Sequence, residues 1–393
     1  MLPSLSSLLT LCARIDTDPE SRERIARMSA AIDWDRLPDL AEVHGLAPLL
    51  YEHLEPMGTF VPRAARQRLL TYRIQHAHAA RVRAAVLAEI LALYRDLEID
   101  VLLLKGAALA HLLYPRPDLR PMRDIDLLVR PVDAERAQAA LADIGFTRPP
   151  SPMHGLDPAH HHLAGVTRHV DGIELGVEVH RRLKLRNDFR PTGRFDEFAP
   201  RAQACRVHGA TARTLGPEDM LWHVYRHAFN AANREPLRLV WLADLVGIVE
   251  RWLDRIDWDR VRRVYPALLR VLPVLDALTP LDDRVLERLD LERGDPWPED
   301  GPLPVFQGWP RIPLRCRGPR SLSRFVQDSL FPPTRWLLLV YGHGPSRPGL
   351  CRAWLAHLGT LARAARRYTL EQAARLWKWS GKAIDLRAAG SSP

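Results

Sequence analysis

The chain has 393 residues, 47% hydrophobic and 26% charged, the balance of an ordinary globular protein with room for two or three domains. Its formal charge of +9 is concentrated late: from Arg335 onward ten arginines and lysines face only Glu371 and Asp385. Cys12, Cys205, Cys316 and Cys351 form no CxxC or Cys/His cluster, and no apolar run approaches the ~20 residues of a membrane span, which argues against disulfide scaffolds, zinc fingers and transmembrane proteins.

The segment Leu2–Leu11 is broken by Pro3 and serines and has no basic leader, so it makes a poor signal peptide, and the reducing cytoplasm is the expected location. Residues 1–99 read as a helical domain, because Trp34 to Leu50 and Ala64 to Leu97 repeat apolar residues every three or four positions. A catalytic core is expected over 100–214. It starts with a buried strand from Asp100 to Leu104, a turn at Lys105-Gly106, and a helix from Ala107 to Tyr114. Residues 115–121 form a loop. Arg123 to Val129 alternates polar with apolar residues as a half-buried strand does, and Asp133 is expected to cap a helix that reaches Ile144 and stops at Gly145. His160 to Val170 and Ile173 to Arg181 read as two strands joined at Asp171-Gly172, a hairpin signal, giving an α/β core of at least four strands.

A second helical domain is expected over 215–280, opening at Pro217 and running through Phe229, Leu237 to Leu253 and Trp258 to Leu278. Residues 281–334 are a proline-rich connecting region, and 335–393 a basic helical tail with its last helix from about Leu350 to Trp379. On that helix Trp354, Leu358, Leu361, Ala365 and Tyr368 share a face, with most arginines elsewhere. Such a helix can dock on an acidic partner or simply pack with its arginines solvated.

Alternate side chains of a strand share a face, so Asp124 and Asp126 converge on one point while Ile125 and Leu127 enter the core. Paired carboxylates suit hard divalent cations, magnesium or manganese, held together with substrate phosphates, although Asp-x-Asp alone also occurs at solvated strand edges. Glu178, on the later hairpin with Glu174, Gly176 and His180 on its face, is the natural third ligand. Lys105-Gly106, between strand and helix, would bring backbone N–H groups and a point charge to phosphates. Arg120 and Arg123 flank the same strand and suit either triphosphate neutralisation or routine salt bridges.

These residues resemble a family. Leu103-Leu-Lys-Gly106, Tyr114-Pro115, Arg120, Arg123-Asp-Ile-Asp-Leu-Leu-Val129, Gly145-Phe146 and Val177-Glu-Val-His180 look like the uncharacterised bacterial nucleotidyltransferases of the polymerase-β-like superfamily. Leu215-Gly-Pro-Glu-Asp219, the helix with His223 and His227, Arg238 and Trp241-Leu-Ala-Asp244 extend the resemblance, which spans about residues 35 to 280 and, more weakly, Phe325 to Tyr368. It implies an α+β, mixed-sheet core flanked by helices, with metal at Asp124, Asp126 and Glu178. It also implies a nucleoside triphosphate substrate gripped by Lys105, Gly106, Arg120 and Arg123, with His180 and His223 as further contacts. Lys105-Gly106 stands where the wider superfamily carries Gly-Ser, so no serine hydroxyl serves the phosphates.

The expected chemistry is in-line transfer of a nucleoside monophosphate to an unidentified acceptor hydroxyl, on a small molecule, peptide or RNA, with release of pyrophosphate. A phosphotransferase on the same scaffold, or an inactive binding module, are the alternatives. His160, His161 and His162 form a run that is conceivable as a ligand set with His180, or is a polar strand end. His223 and His227 lie four apart on one helical face without the intervening glutamate of a zinc protease, so packing near Arg238 and Asp244 is the plainer role.

Overall fold

A computed structural model describes residues 5–56, 61–148, 160–183, 193–229, 237–294, 329–363 and 365–366. The chain divides into two compact units, Met1–Phe229 with Leu237–Leu303, and Asn230–Pro236 with Pro304–Pro393. The first unit opens with four short helices, α1 (Leu5–Leu11), α2 (Pro19–Ser29), α3 (Leu37–Val43) and α4 (Ala47–Leu54). The side chain of Asp18 accepts a hydrogen bond from the Ser21 N–H and Pro19 starts α2, a conventional capped start. α5 (Arg63–Asp96) then runs for 34 residues, about 50 Å at the α-helical rise, burying Ala79, Val82, Val86, Leu87, Ile90, Leu91 and Tyr94 at three- and four-residue intervals.

The core follows as β1 (Val101–Leu103), α6 (Lys105–Leu112), β2 (Asp124–Val129), α7 (Ala134–Ala140), β3 (Val166–Val170), β4 (Ile173–His180), the single-turn α8 (Phe195–Phe198), β5 (Gln203–Val207) and β6 (Ala210–Thr214). They make one six-stranded mixed sheet in the order β3-β4-β2-β1-β6-β5. β2 lies antiparallel to β1 and parallel to β4, while β1 and β6 run parallel. This is an α+β fold with a mixed sheet flanked by helices.

Asp171 and Gly172 both adopt positive φ between β3 and β4, the conformation that a two-residue hairpin demands. Gly145 ends the α7 segment in the left-handed conformation, but Asp133 makes no capping hydrogen bond and instead pairs with Arg136. The strand expected from His160 begins only at Val166. Rings of three consecutive histidines gather on one side of the chain, which an extended strand forbids, and only an isolated bridge joins His162 to His180.

After the sheet come α9 (Pro217–Ala228), α10 (Leu239–Arg251), α11 (Trp258–Val264), α12 (Pro266–Leu278) and α13 (Asp283–Leu289). The single helix expected from Trp258 to Leu278 is two, because Pro266 has no N–H to continue the ladder and starts a new helix instead. α13 falls where only a proline-rich connection was expected, capped by the Asp282 side chain on the Arg284 N–H. Residues 295–328 of that expected region lie outside the described residues.

In the second unit, helix Thr334–Tyr341 buries Leu337 to Val340, and residues 347–363 form the expected late helix. Ala353 and His357 are buried on it, and His357 is hydrogen-bonded through Nε2 to the Ser329 carbonyl at 2.8 Å with Trp336 and Trp354 around it. Leu358, expected on the packed face, is 52% exposed. The basic tail beyond residue 366, including Tyr368, lies outside the described residues. No helix among the described residues is long and apolar enough to cross a membrane.

Candidate active site

Parallel pairing of β2 with β4 sets Asp126 directly beside Glu178, and Asp124 beside Gly176. The glycine leaves the space next to Asp124 open, its added Cβ coming no closer to the Asp124 side chain than 3.8 Å. His180, two residues beyond Glu178 on the same face, donates from Nε2 to Asp126 Oδ1 at 2.8 Å and lies 3.6 Å from Glu178 Oε2. Lys105, first residue of α6, holds its Nζ 2.7 Å from Asp126 Oδ2. Asp126 thus lies between an ammonium and an imidazole, buried to 3% exposure.

These charges set one another. Burial opposes ionisation of Asp126, but Lys105 and His180 outweigh it and hold the carboxyl well below the usual range. Burial likewise disfavours charge on Lys105 and His180, yet the carboxylates around them raise both above their ordinary values. Glu178 is disfavoured as an anion by burial, but the His180 imidazole 3.6 Å away outweighs this and its carboxyl is lowered. The backbone at Lys105 has φ +43°, a left-handed conformation that costs a non-glycine residue about 1–2 kcal/mol and marks a position held by its surroundings.

Gly106 has a separate structural demand: a Cβ there would collide with the Arg120 guanidinium. Arg120 forms a buried pair with Asp244 of α10, Nη2 to Oδ2 at 2.5 Å and Nε to Oδ1 at 3.1 Å, and Asp124 of β2 is near enough to favour its charge as well. The Tyr114 hydroxyl donates to the same carboxylate at 2.8 Å. So the Tyr114, Arg120 and Asp244 motif elements form a strut that fixes the first turn of α6 against α10. Arg123 is exposed at the foot of β2.

His223 on α9 is buried, and its Nε2 meets no hydrogen-bond partner among the described residues. Burial, then the positive charge of Lys105 and His180, push its imidazole down to about 3, so it is neutral at physiological pH. His227 packs edge-on against Trp241, 4.5 Å between centroids, and is also held neutral.

Two groups escape the sequence reading. Arg83, midway along α5, is close enough to Asp124 for that carboxylate to favour its charge, and its Nε is buried without a partner among the described residues. Nothing distinguishes it in sequence from the other arginines of that helix. His162 brings Nε2 within 3.6 Å of Glu178 Oε2; the histidine run signalled it, but only the curl of the chain assigns its direction.

The donor set fits a divalent cation. Ligand atoms of Asp126, Glu178 and His180 lie within 4.8 Å of one another, with Asp124 on the same strand face, a largely oxygen set suited to magnesium or manganese.

Acidic side chains on the adjacent strands β2 and β4 thus stand opposite a basic helix start. Residues 30–271 match the family model described as "Uncharacterised nucleotidyltransferase", and the chain belongs to that family. Comparison with curated proteins gives no match. Among solved structures, that of the antibiotic-resistance factor ANT(2'')-Ia aligns over 48% of this chain and 96% of its own, at 15% identity and a TM-score of 0.32.

Proposed function

We propose that the protein transfers a nucleoside monophosphate from a nucleoside triphosphate to an acceptor hydroxyl, releasing pyrophosphate, with magnesium or manganese held by Asp124, Asp126 and Glu178. The observation that carries this reading is the register that sets Asp126 beside Glu178, with Lys105 and His180 arranged around the buried Asp126. A divalent cation there would neutralise triphosphate charge and increase the acidity of the acceptor hydroxyl.

The chain's own residues do the rest. Lys105 balances the carboxylates and lies at the helix start where phosphates would approach, its ammonium exchanging Asp126 for a phosphate oxygen when nucleotide arrives. The Gly106 backbone lies beside it, held by the Arg120–Asp244 pair, so Arg120 serves by positioning rather than by contact. Arg83, whose charge Asp124 favours, and Arg123, exposed at the strand foot, would meet the outer phosphates. Glu178, beside the less enclosed end of the cluster, is the acceptor-side carboxylate, and His180 fixes the orientation of Asp126. Neutral His223 backs the site from α9 with its Nε2 enclosed, and it would contact the nucleotide only after a local opening.

The acceptor is a hydroxyl on a small molecule, peptide or RNA, and an acidic partner for the basic tail belongs to the same proposal. Incubation of the full chain with each triphosphate, magnesium and its co-purified molecules, followed by mass spectrometry, tests the reaction. Pyrophosphate and an acceptor heavier by a nucleoside monophosphate support it. Nucleoside diphosphate with a phosphorylated acceptor assigns γ-phosphoryl transfer instead, and unchanged triphosphate at every metal and acceptor leaves a binding module.

A further inference from the structure

His160, His161 and His162 are consecutive, yet their rings cluster, with centroids 4.4 Å apart for the first pair, 4.5 Å for the second and 4.3 Å between the outer two. Extended chain would send neighbours to opposite faces, so the clustering requires a curled backbone. Main-chain bonds fix that curl against the end of β4: Leu163 N–H to the Val179 carbonyl at 2.9 Å, and Arg181 N–H to the His161 carbonyl at 2.9 Å.

The protonation pattern suits a Lewis acid. His160 Nδ1 lies 3.2 Å from the His162 carbonyl and His162 Nδ1 lies 2.6 Å from the Leu163 carbonyl. Carbonyl oxygens only accept, so both Nδ1 atoms carry the proton and both Nε2 lone pairs are left outward, the arrangement by which backbone carbonyls orient metal-binding histidines. One ligand nitrogen from each of the three residues comes within 4.8 Å of the other two. Glu178 Oε2, 3.6 Å from His162 Nε2, stays with the carboxylate cluster, so the three imidazoles are the protein donors here.

We propose that His160, His161 and His162 form a second metal site, for zinc(II) or a similar late transition ion, separate from the magnesium site of Asp124 and Asp126. Three imidazoles suit zinc and copper, while magnesium takes oxygen donors and would pass them over. Closing the set needs only a small inward movement to bonds of about 2.0–2.1 Å, and His160 is exposed and able to make it. The site stands whether or not the chain transfers nucleotides.

The test is zinc(II) titration of the full, tag-free, chelator-treated protein against a chromophoric zinc indicator, with millimolar magnesium present. One equivalent of zinc at micromolar affinity or tighter is expected, weakened about tenfold or more by His160→Ala or His161→Ala. Copper(II) should give an electron paramagnetic resonance spectrum with imidazole nitrogen couplings that the double variant loses. Circular dichroism establishes that the variants fold. No stoichiometric zinc in the wild type overturns the proposal. So does zinc binding that survives in the double variant and disappears with Asp126→Asn, which would assign the ion to the carboxylate cluster.

Discussion

The Arg120–Asp244 pair gives the most quantitative test of how the site is held. Asp244→Ala removes a carboxylate that accepts Arg120 Nη2 at 2.5 Å, Nε at 3.1 Å and the Tyr114 hydroxyl at 2.8 Å. The guanidinium left behind is 5% exposed, and among the described residues its remaining hydrogen bond is to the Pro121 carbonyl at 3.4 Å, with Asp124 as the other charge that favours it. Breaking a buried pair from one side costs about 3–5 kcal/mol, because the charge that remains has lost its compensation. Removing both charges is a different perturbation. Arg120→Met with Asp244→Leu leaves no buried ion and should recover most of that loss. Urea unfolding followed by far-ultraviolet circular dichroism compares wild type, single and double variants. An Asp244→Ala protein within about 1 kcal/mol of wild type, or a double variant as unstable as the single, would refute the strut.

Lys105→Ala removes the cation that now competes for Asp126, so manganese binding without nucleotide should tighten while nucleotide affinity falls several-fold; calorimetry in both orders checks it, and unchanged nucleotide affinity removes Lys105 from the phosphate site. His180 has a raised value in the folded protein, so its contribution is fully present below the ordinary imidazole range and is lost as pH rises through the raised value. Metal-free protein should therefore lose stability as pH climbs above the ordinary imidazole range, and His180→Gln should flatten that decline; melting temperatures across pH in chelator measure it. His223→Leu replaces a buried neutral ring with an unpaired nitrogen, so stability should change by less than about 1 kcal/mol while KM for nucleotide rises several-fold. A destabilised variant with normal KM would make His223 a packing residue.

Much of the core was legible because local chemistry and tertiary structure agree. Asp171-Gly172 is a strong turn signal, and the alternation of Arg123 to Leu127 reads as a strand, so the shared face of Asp124 and Asp126 followed from the pattern, although β2 is buried on both faces beyond Asp124 and not half-buried. The β5–β6 hairpin was not seen. Its strands, Gln-Ala-Cys-Arg-Val and Ala-Thr-Ala-Arg-Thr, hold few strongly strand-forming residues, and the alternating burial of Cys205, Val207, Ala212 and Thr214 reveals them. Arg120 looked like a phosphate ligand because its partner Asp244 lies 124 residues away, a distance no local pattern spans. Gly106 looked like a phosphate-loop glycine for the same reason, since the guanidinium that excludes a side chain there arrives through the fold. Lys105 was expected to face phosphates, and its present partner, Asp126, depends on how α6 leaves β1.

The central claim is that Asp126 and Glu178 hold a divalent cation together with nucleotide. Manganese(II) binding, read by loss of the free-ion electron paramagnetic resonance signal with a saturating triphosphate analogue methylene-bridged between the α and β phosphorus, tests it without knowledge of the acceptor. The expected result is a protein-bound manganese–nucleotide complex in the wild type whose affinity drops at least about tenfold in both Asp126→Asn and Glu178→Gln, with circular dichroism unchanged. Equal manganese–nucleotide binding by wild type and both variants would contradict the claim.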